Sequence, residues 1–385
     1  MNSILFDDCR SDLLPLTYTK PVCELRVGIL TVREKWEILS GLSFSFKTEE
    51  YLQKKYPLVL DDENLFINGS ILPNKDITAA IEKLKIDQCL VKDAVVIAYK
   101  TTHDKRPENE IEYLESISQI NRCWNIFSLN ETEISSDFQM ITKNRKSQEI
   151  SKTNTIIGEN NIFIEQGAKV ECSILNAQSG FIYIGKNAEV MEGSMVRGPL
   201  AMCQNSVLKM GTKIYGATTL GPFCKVGGEV SNSVFQGFSN KGHDGFLGNS
   251  VIGEWCNLGA DTNNSNLKNN YAEVKLWNYS KDRFEKTGLQ FCGLIMGDHS
   301  KCGINTMFNT GTVVGISSNL FGPGFPRNFI PSFSWGGSGG YTTFNLDKVY
   351  EVSQKVMERR NIGLSSQDKE ILSHVFSLTN KYRKQ

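Results

Sequence analysis

At 385 residues the chain is longer than one compact core usually covers, so two domains are expected. Forty-two basic and 42 acidic residues cancel, which leaves no bulk electrostatic reason to bind nucleic acid or an anionic membrane. No apolar run approaches the ~20 residues that span a bilayer. The start, Met1 to Asp8, lacks the basic flank of a signal peptide, and the ten cysteines form no C-x-x-C pair; a reduced, cytoplasmic setting is expected.

Residues 1–145 read as an α/β domain. Ser3–Phe6 is a strand candidate. Thr31 and Glu34 have the spacing of a capping box, so a helix should start there and run to about Ser40, with Gly41 as its stop. Tyr51–Lys55 suggests a shorter helix. Leu65–Ile67 reads as a strand leading into the Asn68-Gly69 turn signal. Asp76–Lys85 places Ile77, Ala80, Ile81 and Leu84 on one helical face. Ala94–Tyr99 is a strand by its β-branched run. Ile111–Ile120 and Glu131–Met140 read as helices. Such alternation implies an open, wound sheet. The polar stretch Lys143–Lys152 reads as a linker.

Inside this domain lies Arg10-Ser11-Asp12-Leu13-Leu14-Pro15-Leu16-Thr17-Tyr18-Thr19-Lys20-Pro21. It resembles the opening of the sugar-nucleotide pyrophosphorylases, with an arginine, a Leu-x-Pro-Leu-Thr run and a basic residue beside a proline. The resemblance implies a shortened, Rossmann-like nucleotidyltransferase fold with Arg10 and Lys20 binding nucleotide. Asp7 and Asp8 are candidate ligands for Mg2+ beside a nucleoside triphosphate. Phe6-Asp7-Asp8-Cys9 stands where the family has its glycine-rich loop, and Lys20 precedes Pro21 instead of following it. The fold therefore carries over better than the activity, and a degenerate domain is the alternative.

From Ile184 a different rule governs. Ile184, Val190, Val196, Met202, Leu208, Ile214, Leu220 and Val226 are large and apolar at every sixth position. Four residues after each stand Ala188, Ser194, Leu200, Ser206, Thr212, Thr218, Cys224 and Val230, mostly small. All share one parity, so an extended backbone points them to one side. Six fits no helical period; it fits short parallel strands coiled so that each turn stacks on the last. Phe246, Ile252 and Leu258 renew the pattern, as do Met296, Cys302, Phe308, Val314 and Leu320. The repeat resembles the hexapeptide-repeat family and implies a left-handed parallel β-helix over 153–320, any other parallel β-solenoid being the alternative. Val226 and Phe246 are twenty apart, so a bulge is expected between them.

That irregular stretch contains Ser239-Asn240-Lys241-Gly242-His243-Asp244-Gly245-Phe246, followed by Asn257-Leu258-Gly259-Ala260-Asp261-Thr262. The pair resembles the acetyltransferase half of the bifunctional enzymes that make UDP-N-acetylglucosamine. The resemblance implies His243 as catalytic base, Lys241 and Asn257 as substrate-binding residues, and Asn278 and Tyr279 beside them as the family's later Asn-Tyr pair, a role for which Asn270 and Tyr271 compete. It implies Ala260, Gly303 and Ile304 against acetyl-CoA. Arg197 and Lys225 are further candidates to hold a sugar phosphate. The chemistry calls for such groups: an amine must lose its proton before it attacks a thioester, and imidazole takes a proton near neutral pH. Phe246 replaces a tyrosine of the family and Asp261 a glycine, and 263–275 is inserted, so the sugar can differ. His103, His299 and His374 have no comparable setting.

Residues 321–385 should form a Gly/Pro/aromatic arm over Phe321–Tyr341, a helix over Asp347–Arg360 and a last one capped by Ser365 and reaching about Tyr382, closing the open end of the β-helix. The expected function is a transferase of nucleotide-sugar biosynthesis: an acetyl-CoA-dependent N-acetyltransferase on an amino-sugar 1-phosphate, joined to a nucleotidyltransferase-like domain. Resemblance implies a homotrimer. The alternatives are a uridylyl- or thymidylyltransferase whose β-helix only assembles it, and a non-catalytic sugar-nucleotide sensor.

Overall fold

The computed structural model describes residues 1–383. The N-terminal sheet has six strands, ordered Phe44–Lys47, Asn2–Phe6, Asn64–Asn68, Val95–Thr101, Gln88–Lys92 and Glu110–Glu112. It is mixed: its central pair, Asn64–Asn68 with Val95–Thr101, is antiparallel. Helix α1 (Val32–Ser40) begins at the Thr31 capping box and ends at Gly41, whose φ of 71° suits glycine. Trp36 on its inner face is fully buried and its indole N–H donates to the Ile71 carbonyl at 3.0 Å. Helix α2 (Lys75–Glu82), the short α3 (Asn125–Ser128) and α4 (Asn130–Thr142) complete the layer.

Two expected helices are absent. Tyr51–Lys55 is replaced by a single 3-10 turn at Glu50–Leu52. Glu110–Glu112 is instead an edge strand beside Cys89–Val91, and Ser118–Gln119 pairs with Ile71–Leu72. The reason is burial: Ile111 and Leu114 are 38% and 82% exposed, so the segment has no apolar stripe to bury as a helix.

The rest of the chain winds a parallel β-helix with three faces. The first face runs from Ile162–Ile164 to Phe329–Ile330 and has nine strands. The second runs from Lys169–Val170 to a closing hairpin, Ser334–Gly337 with Gly340–Thr343. The third runs from Thr155–Ile157 to Phe246–Gly248. The sixfold column from Ile184 to Val226 points inward and is buried throughout. Three details differ from the sequence rule. Glu189, Val207 and Lys225 pair at eighteen-residue steps, but Lys225 pairs with Asn240, fifteen on, so the coil shortens instead of bulging. In consequence Leu247, not Phe246, sits opposite Val230 in the core, and Lys241 takes the inward place opposite Val226. The repeat also does not stop at Leu320: Phe329–Ile330 and Ser334–Gly337 add another coil where an arm packed on the β-helix or a neighbouring subunit was expected.

The N-terminal domain lies on the first face. Ile29, Ile134 and Phe138 pack against Phe163, Tyr183 and Ala201. The Gln236 side chain imitates a strand neighbour, accepting from the Arg26 amide at 2.6 Å and donating to its carbonyl at 3.1 Å. The insertion after Thr262 leaves the coil as a hairpin, Lys275–Asn278 with Arg283–Lys286, which reaches back to Asp12 and Arg122 of the N-terminal domain. Helices α5 (Leu346–Glu358) and α6 (Ser366–Leu378) run along the flank of the β-helix instead of only closing its end; the short α7 (Asn380–Arg383) follows. Their docking ridge is the corner between the first two faces. There Phe223, Phe238, Trp255 and His299 all hold φ near 60° and stack in succession, with Phe238 and Trp255 centroids 4.2 Å apart. Bulky residues seldom accept that backbone, so close packing must hold them there.

Candidate active site

Between the second face and α5 lies a cleft of about 770 Å³. Its floor is the outward row of the face: Lys225, Asn240, Asn257 and Lys301 succeed one another across paired strands. Its roof carries Val352 and Val356 of α5, then Arg359 and Arg360 just past the helix end. Phe238 and Trp255 form one end wall; Gly242, His243 and Ala260 form the other. Five lining side chains are lysine or arginine, and among the described residues no carboxylate lines the space.

His243 is exposed, on the loop between Asn240–Lys241 and Phe246–Gly248. It borders the cleft on one side and a shallower depression on the other, where Asp244 and Asp261 stand. What fixes this loop is Lys241. Its side chain is 1% exposed, and its ammonium donates to the carbonyls of Gly227 at 3.0 Å and His243 at 2.9 Å. Burial pushes its pKa down to about 8. Lys241 is therefore a strut inside the β-helix, and the expectation that it binds substrate is corrected. Lys301 meets the same pressure at the cleft floor: burial lowers its pKa to about 8, and its ammonium donates to the His299 carbonyl at 2.9 Å.

Of the expected residues, Lys225, Asn257, Ala260 and Ile304 line the cleft with His243, and Gly303 adjoins Ile304. Arg197 does not join them; it lies on the third face beside Lys213 and Tyr215. Asn278 and Tyr279 belong to the inserted hairpin. Asn278 donates to Asp12 at 2.9 Å and Glu285 at 2.8 Å, and the Tyr279 ring sits edge-on to Tyr18. Both are interdomain packing residues because the insertion carries them away from the coil. Lys209, Lys301, Arg359, Arg360 and Phe238 were not foreseen. The signal for Lys301 was legible, since it directly precedes a column residue, Cys302, and so faces outward as Lys225 does. The arginines lie outside the repeat, and only the fold brings them over it.

The N-terminal loop is built differently. Asp7 accepts from the Val22 amide at 2.7 Å, from Arg10 at 3.1 Å and from the Thr48 hydroxyl. Arg10 also donates to the Lys20 carbonyl at 2.9 Å, the Tyr51 hydroxyl at 2.8 Å and the Thr17 carbonyl. Lys20 is 3% exposed and pairs across the domain boundary with Glu254 at 2.8 Å and Asp298 at 3.1 Å. Asp8 accepts from the Cys9 amide and from Asn68. Both oxygens of both aspartates are thus occupied, and no cluster of three His, Cys, Asp or Glu able to hold a metal exists among the described residues. The residues present do not fit Mg2+, and the expectations for Asp7, Asp8, Arg10 and Lys20 as metal and nucleotide ligands are corrected: Asp7 and Arg10 pair with each other, Lys20 pairs with the β-helix, and Asp8 is taken up by the Cys9 amide and Asn68.

Fold and site together define a two-domain protein, a six-stranded α/β domain seated on a β-helix. Residues 3–146 match the family model described as sugar nucleotidyl transferase. Over 281 residues, 69% of the chain, it is 26% identical to a bifunctional sugar-1-phosphate nucleotidylyltransferase/acetyltransferase of Sulfurisphaera tokodaii, of which 63% is covered. Over 118 residues, 31% of the chain, it is 32% identical to the bifunctional protein GlmU of Methanocaldococcus jannaschii, of which 26% is covered. The chain thus spans less than two thirds of either relative. Among solved structures, AntD, an N-acyltransferase from Bacillus cereus in complex with dTDP and coenzyme A, overlaps at 11% identity with a TM-score of 0.24, covering 55% of this chain and 87% of that one. An Arabidopsis UDP-N-acetylglucosamine acyltransferase gives 14% and 0.21, covering 61% and 82%.

Proposed function

We propose that the protein transfers an acetyl group from acetyl-CoA to the amine of an amino-sugar 1-phosphate, in the cytoplasm, with His243 as the catalytic base. One observation carries this reading: His243 stands where a cation-lined cleft meets a depression bearing Asp244 and Asp261. An amino-sugar phosphate has the matching polarity, with its ammonium drawn toward the carboxylates and its phosphate toward the lysines. His243 takes the proton that the ammonium loses. The free amine attacks the thioester carbonyl, a C–N bond forms, the C–S bond breaks, and the thiolate leaves and takes up a proton. Asn257 on the floor orients the amine or a sugar hydroxyl, and Lys225 holds phosphate. Ala260, Gly303 and Ile304 adjoin the thioester arm. The acetyltransferase in the name of the Sulfurisphaera relative supports the assignment.

The third face of the β-helix supports a homotrimer. Ile157, Ile174, Met195 and Tyr215 are 36–43% exposed there, whereas the first face is covered by the N-terminal domain. Contact between copies along that face places His243, at its edge, beside a neighbouring subunit.

The test is acetyl transfer from acetyl-CoA to a panel of amino-sugar 1-phosphates. His243→Ala should lower turnover by about 10²–10⁴-fold, the usual loss of a general base. Turnover unchanged in that variant would overturn the role of His243; no turnover by the wild type with any acceptor would overturn the reading. The family match of residues 3–146 supports a second reading, nucleotidyl transfer, against which stands the engagement of Arg10 and Lys20 in internal contacts; pyrophosphate release from nucleoside triphosphates with sugar 1-phosphates would reveal it.

A further inference from the structure

The end wall of the cleft, Phe238 and Trp255, needs more than packing to hold it. Both residues keep φ near 60°, a backbone region that bulky side chains seldom adopt. Their rings stack with centroids 4.2 Å apart. Yet both also line a second cavity of about 260 Å³ behind the wall, between the β-helix, the N-terminal domain and α6. Packing alone leaves the wall room to retreat, so the backbone must be fixed. Glu254, just before Trp255, does this. Its amide donates to Asp298 Oδ1 at 2.7 Å, and its carbonyl accepts from the His299 amide at 2.8 Å. Asp298 can come this close because Gly253 has no side chain to obstruct it. Asp298 is 3% exposed, and a carboxylate at that depth needs partners. They come from the other domain: the Lys20 ammonium at 3.1 Å and the Thr19 hydroxyl, with Lys20 also reaching Glu254 at 2.8 Å. The contacts therefore run from Thr19 and Lys20, through Asp298 and Glu254, to Trp255.

We infer that Asp298, held by Thr19 and Lys20, is a positioning residue for Trp255, and that the N-terminal domain thereby sets the closed end of the transfer cleft. The inference rests on the transfer reading for what the cleft holds. His243 stands at the opposite end, so Trp255 meets a part of a substrate remote from the reacting bond. Loss of such a contact raises KM and leaves kcat nearly unchanged, because ground state and transition state lose it alike. The loop that resembles a nucleotide motif is then a support for the other domain's site.

Two measurements on the full-length protein test this. The first needs no turnover: the fluorescence of Trp255, taken as the difference between each protein and its Trp255→Phe counterpart. Asp298→Leu should let the ring retreat, so that acrylamide quenches it about twice as strongly. Asp298→Asn keeps an oxygen for the Glu254 amide and should stay near wild type. The second is acetyl transfer, in which Asp298→Leu should raise the KM of acetyl-CoA or of the acceptor about tenfold and change kcat by less than about threefold. Asn130→Ala cuts an interdomain contact away from the wall, at Ala217 and Thr219, and should leave both KM values unchanged. Circular dichroism checks the fold; should Asp298→Leu unfold, Thr19→Val removes one donor to Asp298 and should move both measurements the same way, KM by about threefold. Equal quenching in wild type and Asp298→Leu, or an effect of Asp298→Asn as large as that of Asp298→Leu, overturns the positioning role. Quenching that rises while neither KM moves overturns the part of Trp255 in the cleft. No turnover by the wild type with any acceptor sinks the transfer reading and leaves the quenching to decide the positioning role.

Discussion

The N-terminal loop and the β-helix cleft each gather several charged side chains, and they treat them in opposite ways. In the loop, Asp7, Arg10 and Lys20 are all engaged, by one another, by backbone groups or by Glu254 and Asp298. In the cleft, Lys209, Lys225, Lys301, Arg359 and Arg360 converge with no carboxylate among them. A charge matched inside the fold fixes structure; a group of like charges left unmatched marks where something else must supply the counter-charge. The motif that looks most like a nucleotide site in sequence has become the joint between the domains, and the cleft lies at the second motif, around His243 and Asn257, roofed by arginines that no motif announced.

The largest effect on stability should come from breaking that joint. Lys20→Met leaves Asp298, itself 4% exposed, without its cation. Removing one member of a buried pair typically costs about 3–5 kcal/mol. Urea unfolding should show a loss of that order, and adding Asp298→Asn should recover part of it. A loss below about 1 kcal/mol would mean that Lys20 is a poorly placed surface charge and that the contrast between the two regions is misdrawn.

Lys241→Met should be smaller in stability and larger in activity. Exchanging a buried ammonium for an apolar chain of similar shape is often nearly neutral. Here it also strips a donor from the Gly227 and His243 carbonyls, so a change within about 1 kcal/mol is expected. The loop bearing His243 would lose its anchor, and acetyl transfer should fall mainly in kcat. Stability and activity lost in parallel would make Lys241 a packing residue and nothing more.

These residues also measure what the sequence could reveal. The β-helix was legible because its rule is local and periodic: eight large residues at sixfold spacing are buried as the parity argument requires. The Thr31 capping box and its Gly41 stop were legible for the same reason. His243, Asn257, Lys225 and Ala260 could be placed together because each sits at a known position on successive coils. Lys241 could not, since a three-residue shortening of one coil turned it inward, and no local signal reports such a shift. Arg359 and Arg360 follow a helix whose docking depends on a distant corner of stacked rings, Phe238 and Trp255 among them. The false helix at Ile111–Ile120 failed because apolar residues were counted without knowing that Leu114 faces solvent.

The desolvated lysines give a pH signature that only the cleft and its strut should carry. Lys241 and Lys301 have pKa values lowered to about 8 from an unfolded value near 10.5. At these two groups the unfolded chain binds more protons between those limits, a contribution that raises stability with pH, whereas buried thiols such as Cys9, Cys123 and Cys256, pushed up to about 12, remove stability above about pH 9, so the signature is the difference between wild type and Lys301→Met. Lys301→Met should remove part of that rise. Parallel profiles for wild type and Lys301→Met across this window would mean that water reaches the Lys301 ammonium and that the cleft floor is not dry.

The smallest effect belongs to ion pairs that resemble the joint in geometry but not in burial. Lys54 of the N-terminal domain pairs with Glu370 of α6 at 2.6 Å, closer than either contact of Lys20, yet the two side chains are 71% and 54% exposed. Water solvates both partners whether or not they touch, and holding two long side chains costs rotamer freedom. Lys54→Ala should therefore change stability by less than about 1 kcal/mol, and added salt should shrink even that. Distance alone would rank the two pairs in the wrong order; burial ranks them as the unfolding curves should. A loss at Lys54 comparable to that at Lys20 would show that α6 is held to the N-terminal domain by charge and not by the aromatic corner beneath it.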